Sequence, residues 1–245
     1  MKQENYIRGM IMIILSAFFF ACMNVSVRLA GDLPSVQKSF FRNLVAAFFA
    51  AIILIKNHTA PKVEKTQWGS LFLRCAFGTL GILCNFYAID HLLVADASIL
   101  NKLSPFFAII FSFLLLKEKI KPAQAMCVIL AFVGCLFVVK PGFENAHLIP
   151  ALIGVCGGLG AGIAYTMVRK MGTHGVKGPV IVFYFSCFSC IIVIPWIVFH
   201  YQPMSLRQLL TLLLAGLFAA GGQFTITAAY TYAPVSYTHL TLPTT

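Results

Sequence analysis

The sequence predicts an all-α integral membrane protein, a polytopic helical bundle. Three observations carry that prediction. Hydrophobic residues make up 60% of the chain and charged residues 10%, and mean hydropathy is +0.89. Soluble domains run near one quarter charged, so this chain has too little charge to cover a polar surface. The apolar residues gather in runs of about 20, the length a helix needs to cross a bilayer. The 18 Lys and Arg against 7 Asp and Glu, a net charge of +11, sit in short clusters between those runs. A basic balance alone would allow a nucleic-acid partner, but clusters at span ends fit a membrane surface and exclude that reading.

Eight spans follow in order. Met1–Arg8 is polar and basic, and the apolar run from Gly9 to Val27 is too long for a signal-peptide core. Ile7–Ala30 therefore reads as the first span. Gly31, Asp32 and Pro34 interrupt it, and Val36–Ile55 is the second. A basic linker with Pro61 leads to the third, Gly69–Ile89. The fourth, Ala95–Leu116, carries Ser104-Pro105 inside and closes on Lys117-Glu118-Lys119. The fifth is Pro122–Val139, ended by Lys140, Pro141 and Gly142. Leu148–Val168, Pro179–Phe199 and Leu206–Ala229 complete the set. Most linkers are short, which favours antiparallel sequence neighbours packed side by side. All eight cysteines lie in apolar runs. Only Cys187 and Cys190 have C-x-x-C spacing, and small apolar filler explains them better than a redox or metal pair.

Charge placement orients the chain. With the N-terminus inside, the cytoplasmic side collects Lys2, Arg8, Lys56, Lys62, Lys65, Lys117, Lys119, Lys121, Arg169, Lys170 and Lys177. The outer side holds only Arg28, Lys38, Lys140 and Arg207, together with Asp32, Asp90, Asp96 and Glu144. That bias puts the N-terminus in the cytoplasm, in a multi-pass protein of the cytoplasmic (inner) membrane.

An internal repeat shows at an offset of 141 residues. Val27-Arg28 falls on Val168-Arg169, each pair closing a span; Gly81 falls on Gly222, and Ala88 on Ala229. One register holds from the first span through the third. The first unit, residues 1–141, contains five spans. An odd number inverts the second copy, and inverted repeats are the usual build of alternating-access transporters. The second unit, residues 142–235, has three spans, so eight of an expected ten are visible. Residues 236–245 are polar and threonine-rich, too short to span, and read as a non-native tail on a truncated repeat.

Ionisable groups inside a membrane are costly and raise a functional hypothesis. Arg42 and Lys102 lie six or seven residues into the second and fourth spans, near the outer side. Arg74 lies as deep in the third span, near the cytoplasmic side. Each either reaches the interface along its apolar stem or faces a cavity; in the second case Arg42 and Lys102 supply charge for a substrate carboxylate or phosphate. Asn101 precedes Lys102, and Pro105 follows one turn on. A proline frees a backbone carbonyl, tolerated where the break is buried or lines a cavity. Asn24, Asn85, Tyr87, Tyr165 and Gln223 are the other cavity candidates, with Asn24 and Tyr165 equivalent under the repeat. Interhelical hydrogen bonding accounts for them equally well. Gly154, Gly158 and Gly162, four apart in the sixth span, open a groove for a close neighbour. No metal-binding spacing, phosphate loop or converging Ser/His/Asp set is present, and no cofactor is expected. The chain reads as a transporter, not an enzyme; the alternative is a non-transporting membrane scaffold or assembly subunit. Membrane lipid, a small-molecule substrate and a homodimer are the expected partners.

The chain also resembles the EamA-type branch of the drug/metabolite transporter superfamily. The resemblance rests on Phe40-Phe41-Arg42-Asn43-Leu44, on Leu73-Arg74 with Gly78 and Gly81, and on Phe86-Tyr87-Ala88-Ile89. It continues through Ala95-Asp96-Ala97-Ser98, Ser104-Pro105-Phe106-Phe107, Leu116-Lys117-Glu118-Lys119 and Pro141-Gly142. It implies ten spans in two inverted five-helix repeats, both termini cytoplasmic. It also implies transport, often export, of small metabolites such as amino acids or nucleoside-type compounds. Arg74, Pro105 and Glu118 are expected as structural or gating positions. Asn101-Lys102 departs from the more usual apolar pair before Ser-Pro.

Overall fold

The computed structural model describes residues 2–117, 122–139 and 148–232. These form nine helices: α1 Lys2–Leu29, α2 Ser35–Lys56, α3 Trp68–His91, α4 Val94–Asn101, α5 Ser104–Leu116, α6 Pro122–Val139, α7 Leu148–Thr173, α8 Gly178–His200 and α9 Leu206–Tyr232. A single 3-10 turn, Lys65–Gln67, leads into α3. Glu118, Lys119, Lys121, Lys140, Glu144 and the expected tail lie outside the described residues. Seven helical stretches among those described are long and apolar enough to cross a membrane, the broken pair α4–α5 counting as one. The fifth predicted span forms as α6, with 18 residues, about 27 Å long at 1.5 Å per residue. Ile14, Phe18, Phe48, Phe72, Val198 and Phe199 face outward, as a lipid-facing surface requires. Without water in the hydrocarbon, a helix is the form that satisfies its own backbone.

The fourth predicted span is the one that breaks. Pro105 has no N–H, so the Asn101 carbonyl loses its helical partner. The chain takes a tight turn at Lys102 and Leu103: the Lys102 N–H donates to Ser98 and Ile99 carbonyls, both at 3.1 Å, and Leu103 N–H to Leu100. Helix α5 then restarts with Pro105 in its first turn, where a missing donor costs nothing. Sequence position alone therefore places Asn101 and Lys102 at a helix interruption inside the bundle.

Side-by-side packing of sequence neighbours is not what the structure contains. Helix α1 lies chiefly along α9, α3 along α7, and α2 across α8. The reason is small residues. A methyl group on Gly81 would stand 3.1 Å from the backbone of Gly157 and Ala161 in α7, so these two helices touch main chain to main chain. The glycines of α7 in fact make two seams. Gly157 and Gly160 face α3, while Gly154, Gly158 and Gly162 face Leu100, Leu103, Ser104 and Phe107 of α4–α5. Close backbone approach gains packing area that lipid cannot offer, and so outweighs loop proximity.

Arg28 Nη1 donates to the carbonyls of Ile89 and Asp90, at 2.8 and 2.9 Å, at the end of α3. Arg169 Nη1 donates to those of Tyr230 and Thr231, at 3.3 and 3.5 Å, at the end of α9. A helix C-terminus has carbonyls without partners and a negative dipole end, and a guanidinium answers both. Donors and acceptors alike are 141 residues apart.

Candidate functional site

Two adjoining cavities occupy the middle of the bundle. The smaller, about 50 Å³, is lined by Phe20, Arg42, Arg74, Gly78, Asn85, Asn101, Tyr165, Phe185 and Gln223, among others. The larger, about 170 Å³, is lined by Ser16, Phe20, Asn24, Ser98, Asn101, Lys102, Pro105, Tyr165 and Tyr230, among others. Phe20, Asn101 and Tyr165 belong to both walls. Asn101 reaches this position because the helix stops there. Tyr165 is held against Tyr230, ring centroids 5.1 Å apart.

Seven of the eight predicted cavity residues therefore line this space. Tyr87 does not: its ring stacks on His91, centroids 4.0 Å apart, towards the end of α3. Asn24 donates through Nδ2 to Ser98 Oγ at 3.2 Å, and its Oδ1 has no partner. Asn85 Oδ1 is likewise unpaired and buried. Lys102 is exposed at the edge of the larger cavity.

Arg42 and Arg74 are each 2% exposed. Snorkelling to the interface is thereby overturned for both, because a snorkelling head group would reach water. Arg42 Nη1 donates to Asn43 Oδ1 at 2.7 Å and Nη2 to Gln223 Oε1 at 3.2 Å. Asn43 is itself anchored, donating through Nδ2 to the Ser39 carbonyl at 2.9 Å. The Arg74 guanidinium lies over the Phe185 ring, 3.9 Å from its centroid, and Arg42 stands 5.9 Å from the same ring. Both cations thus approach one aromatic ring, an attraction strengthened by the loss of water. Arg74, expected as a structural or gating residue, lines the cavity with Arg42. Phe185 carried no signal in the sequence, being one phenylalanine in an apolar run. No carboxylate lines either cavity among the described residues.

One end of the bundle is held by part-buried polar ties. Lys38, 1% exposed, pairs with Asp90 Oδ1 at 2.5 Å, and Ser35 Oγ donates to Asp90 Oδ2 at 2.7 Å. Gln37 donates to the Gln202 carbonyl at 2.9 Å and accepts from the Gln202 N–H at 3.0 Å. At the other end the ties are exposed: Tyr184 Oη donates to the Pro61 carbonyl at 2.8 Å, and Lys177 Nζ to Thr59 Oγ1 at 3.3 Å.

A polytopic helical bundle whose central cavities gather polar side chains from several helices suits a membrane transporter. The comparisons agree. The family model "EamA-like transporter family" matches residues 7–140. The pseudopaline exporter CntI of Pseudomonas aeruginosa is 32% identical over 229 residues, 91% of this chain and 78% of that protein. A riboflavin transporter of Brucella anthropi is 25% identical over 234 residues, 89% of this chain and 79% of its own length. One solved crystal structure shares the fold, with a TM-score of 0.73 at 13% identity, over 93% of this chain and 81% of that one. This chain belongs to the EamA-like transporter family, within the drug/metabolite transporter superfamily, and is a transporter and not an enzyme.

Proposed function

We propose that this chain moves small metabolites, of the size of amino acids or nucleoside-type compounds, out of the cell by alternating access about the central cavity. It would do so in the cytoplasmic membrane, with the N-terminus and the Arg169 end of the bundle inside and the Asp90 end outside. The observation that carries the reading is convergence. Asn24, Asn85, Asn101 and Tyr165, from four helices, and Lys102, from the turn after α4, line the two adjoining cavities. A scaffold would pack those helices without a cavity. At about 50 and 170 Å³ the two cavities fall below the range of about 300–1,000 Å³ for drug-sized pockets, a size for a small ligand only.

We further propose that residues 1–141 and 142–235 are the two inverted repeats, which supplies the machinery for exchange. The paired arginine caps at a constant offset support this, and so does the helix pairing. If α1, α2 and α3 correspond to α7, α8 and α9, then α1–α9 and α7–α3 are one contact made twice. The crossing of α2 on α8 is its own counterpart.

Counterflow into proteoliposomes holding the purified chain tests transport. Exchange of at least one labelled amino acid or nucleoside above the empty-liposome rate is expected, with a tenfold or greater fall in the double variant Asn101→Leu, Tyr165→Leu. A folded, reconstituted chain that exchanges no member of the panel would sink the proposal.

A further inference from the structure

We infer that the central cavity is a binding site for a small anion, a carboxylate or phosphate group, with the open edge of Arg74 as its anchor and Arg42 beside it. The inference rests on the transport reading only in treating that anion as cargo; binding itself is a separate claim.

Nε and Nη2 of Arg74 and Nε of Arg42 are buried and have no hydrogen-bond partner. On one guanidinium, Nε–H and the adjacent Nη2–H point the same way, in the fork that a carboxylate or phosphate accepts as a pair. The two arginines divide the work. Arg42 is fixed by Asn43 and Gln223 and has one donor left over. Arg74 is fixed by stacking on Phe185, which restrains its plane and leaves its edge free. Gln223 Nε2, also unpaired, adds a further donor next to Arg42.

An unsatisfied buried donor is costly, and more so on a cation. An aromatic face attracts the charge but accepts none of these N–H groups. Elsewhere in this protein a buried cation has its anion: Lys38 has Asp90. Around Arg42 and Arg74 no described carboxylate is in the wall. An anion entering as ligand would supply the missing partner. A neutral ligand would leave both charges uncompensated, and a cation would add to them. Lys102, exposed at the neighbouring rim, can draw an anion in but keeps its own hydration.

Binding to the purified chain in lipid nanodiscs tests this, read by calorimetry and melting temperature. The probes are succinate, glycerol 3-phosphate and inorganic phosphate, with succinamide and putrescine as neutral and cationic comparators. At least one anion should bind saturably and raise the melting temperature, and the comparators should not. Preference for succinate assigns a carboxylate site; preference for either phosphate compound assigns a phosphate site. Arg74→Lys should weaken binding at least tenfold, because an ammonium keeps the charge but not the fork. Arg74→Gln should weaken it a hundredfold or more and raise the melting temperature of the empty chain, the sign of removing an uncompensated buried charge. The exposed-surface variant Arg207→Gln should change affinity less than threefold. The inference is overturned if no anion binds, if succinamide or putrescine binds as tightly, or if Arg74→Gln binds the anion unchanged. Anion binding without flux would defeat the transport reading and leave this one standing. Flux of neutral compounds without anion binding would do the reverse.

Discussion

Gly78 decides whether Arg74 can lie where it does. A methyl group at that position would stand 2.7 Å from Phe185 Cε2 and would meet Arg74 Nη1 closer still. Neither neighbour can withdraw without separating the cation from the ring. Gly78→Ala is therefore expected to cost about 1–3 kcal/mol of overpacking and to lower transport tenfold or more, measured in proteoliposomes alongside the unfolding midpoint. Wild-type flux from that variant would mean the stacked arrangement is not used. Most of the cavity was legible at this scale. Arg42, Asn24, Asn85, Asn101, Tyr165 and Gln223 stand out because a polar side chain in hydrocarbon needs a reason to be there. Phe185 and Gly78 were not legible, since an apolar residue in an apolar run is silent until its neighbour is known. The depths of Arg42 and Arg74 also misled. They start near opposite ends of their helices, and only their long side chains bring the charges to one ring.

Among the elements, α7 is the organiser, because its small residues face two partners at once. Gly160 would place a Cβ 2.9 Å from the Phe77 carbonyl in α3, and a backbone atom cannot rotate away. Gly160→Val should lower stability by about 2–3 kcal/mol or more, seen as a fall in melting temperature in nanodiscs. Gly69→Ala, where nothing lies within 4 Å, should stay within about 0.5 kcal/mol. Equal effects from the two would remove the seam from the account. Span positions were readable because hydrocarbon thickness dictates their length. The break at Lys102–Leu103 was readable from Pro105. Helix partners were not. Loop length says which ends are joined, whereas pairing follows from which glycines meet which backbone, a property of two helices together.

Across the whole molecule the two ends are unequally fastened. The repeat offset carries Lys38 to Pro179 and Asp90 to Thr231, so the part-buried ion pair is not repeated at the corresponding positions. The pair ties α2 to the C-terminal end of α3, so its loss is expected to loosen the Asp90 end. Asp90→Asn strands the Lys38 charge, which costs about 3–5 kcal/mol when a buried partner is lost. The expected outcome is faster labelling of an Asn24→Cys site, in a chain cleared of its native cysteines, by impermeant maleimide from the Asp90 side. The double variant Lys38→Met, Asp90→Leu, with neither charge left, should label more slowly than Asp90→Asn. An unchanged rate in Asp90→Asn would take the pair out of the gate.

Under the proposed repeat the crossings α1–α9 and α3–α7 correspond, but they are filled differently. Main chain meets main chain at Gly81, Gly157 and Gly160, whereas the rings of Phe19 and Phe20 stand between α1 and the glycines Gly221 and Gly222. Phenyl groups can swing about their side-chain torsions and backbones in contact cannot shorten. One crossing is thus a stiff fulcrum and the other a deformable cushion. If the two halves rock as proposed, the motion is expected to pivot about α3–α7 and to take its travel from the phenylalanine side.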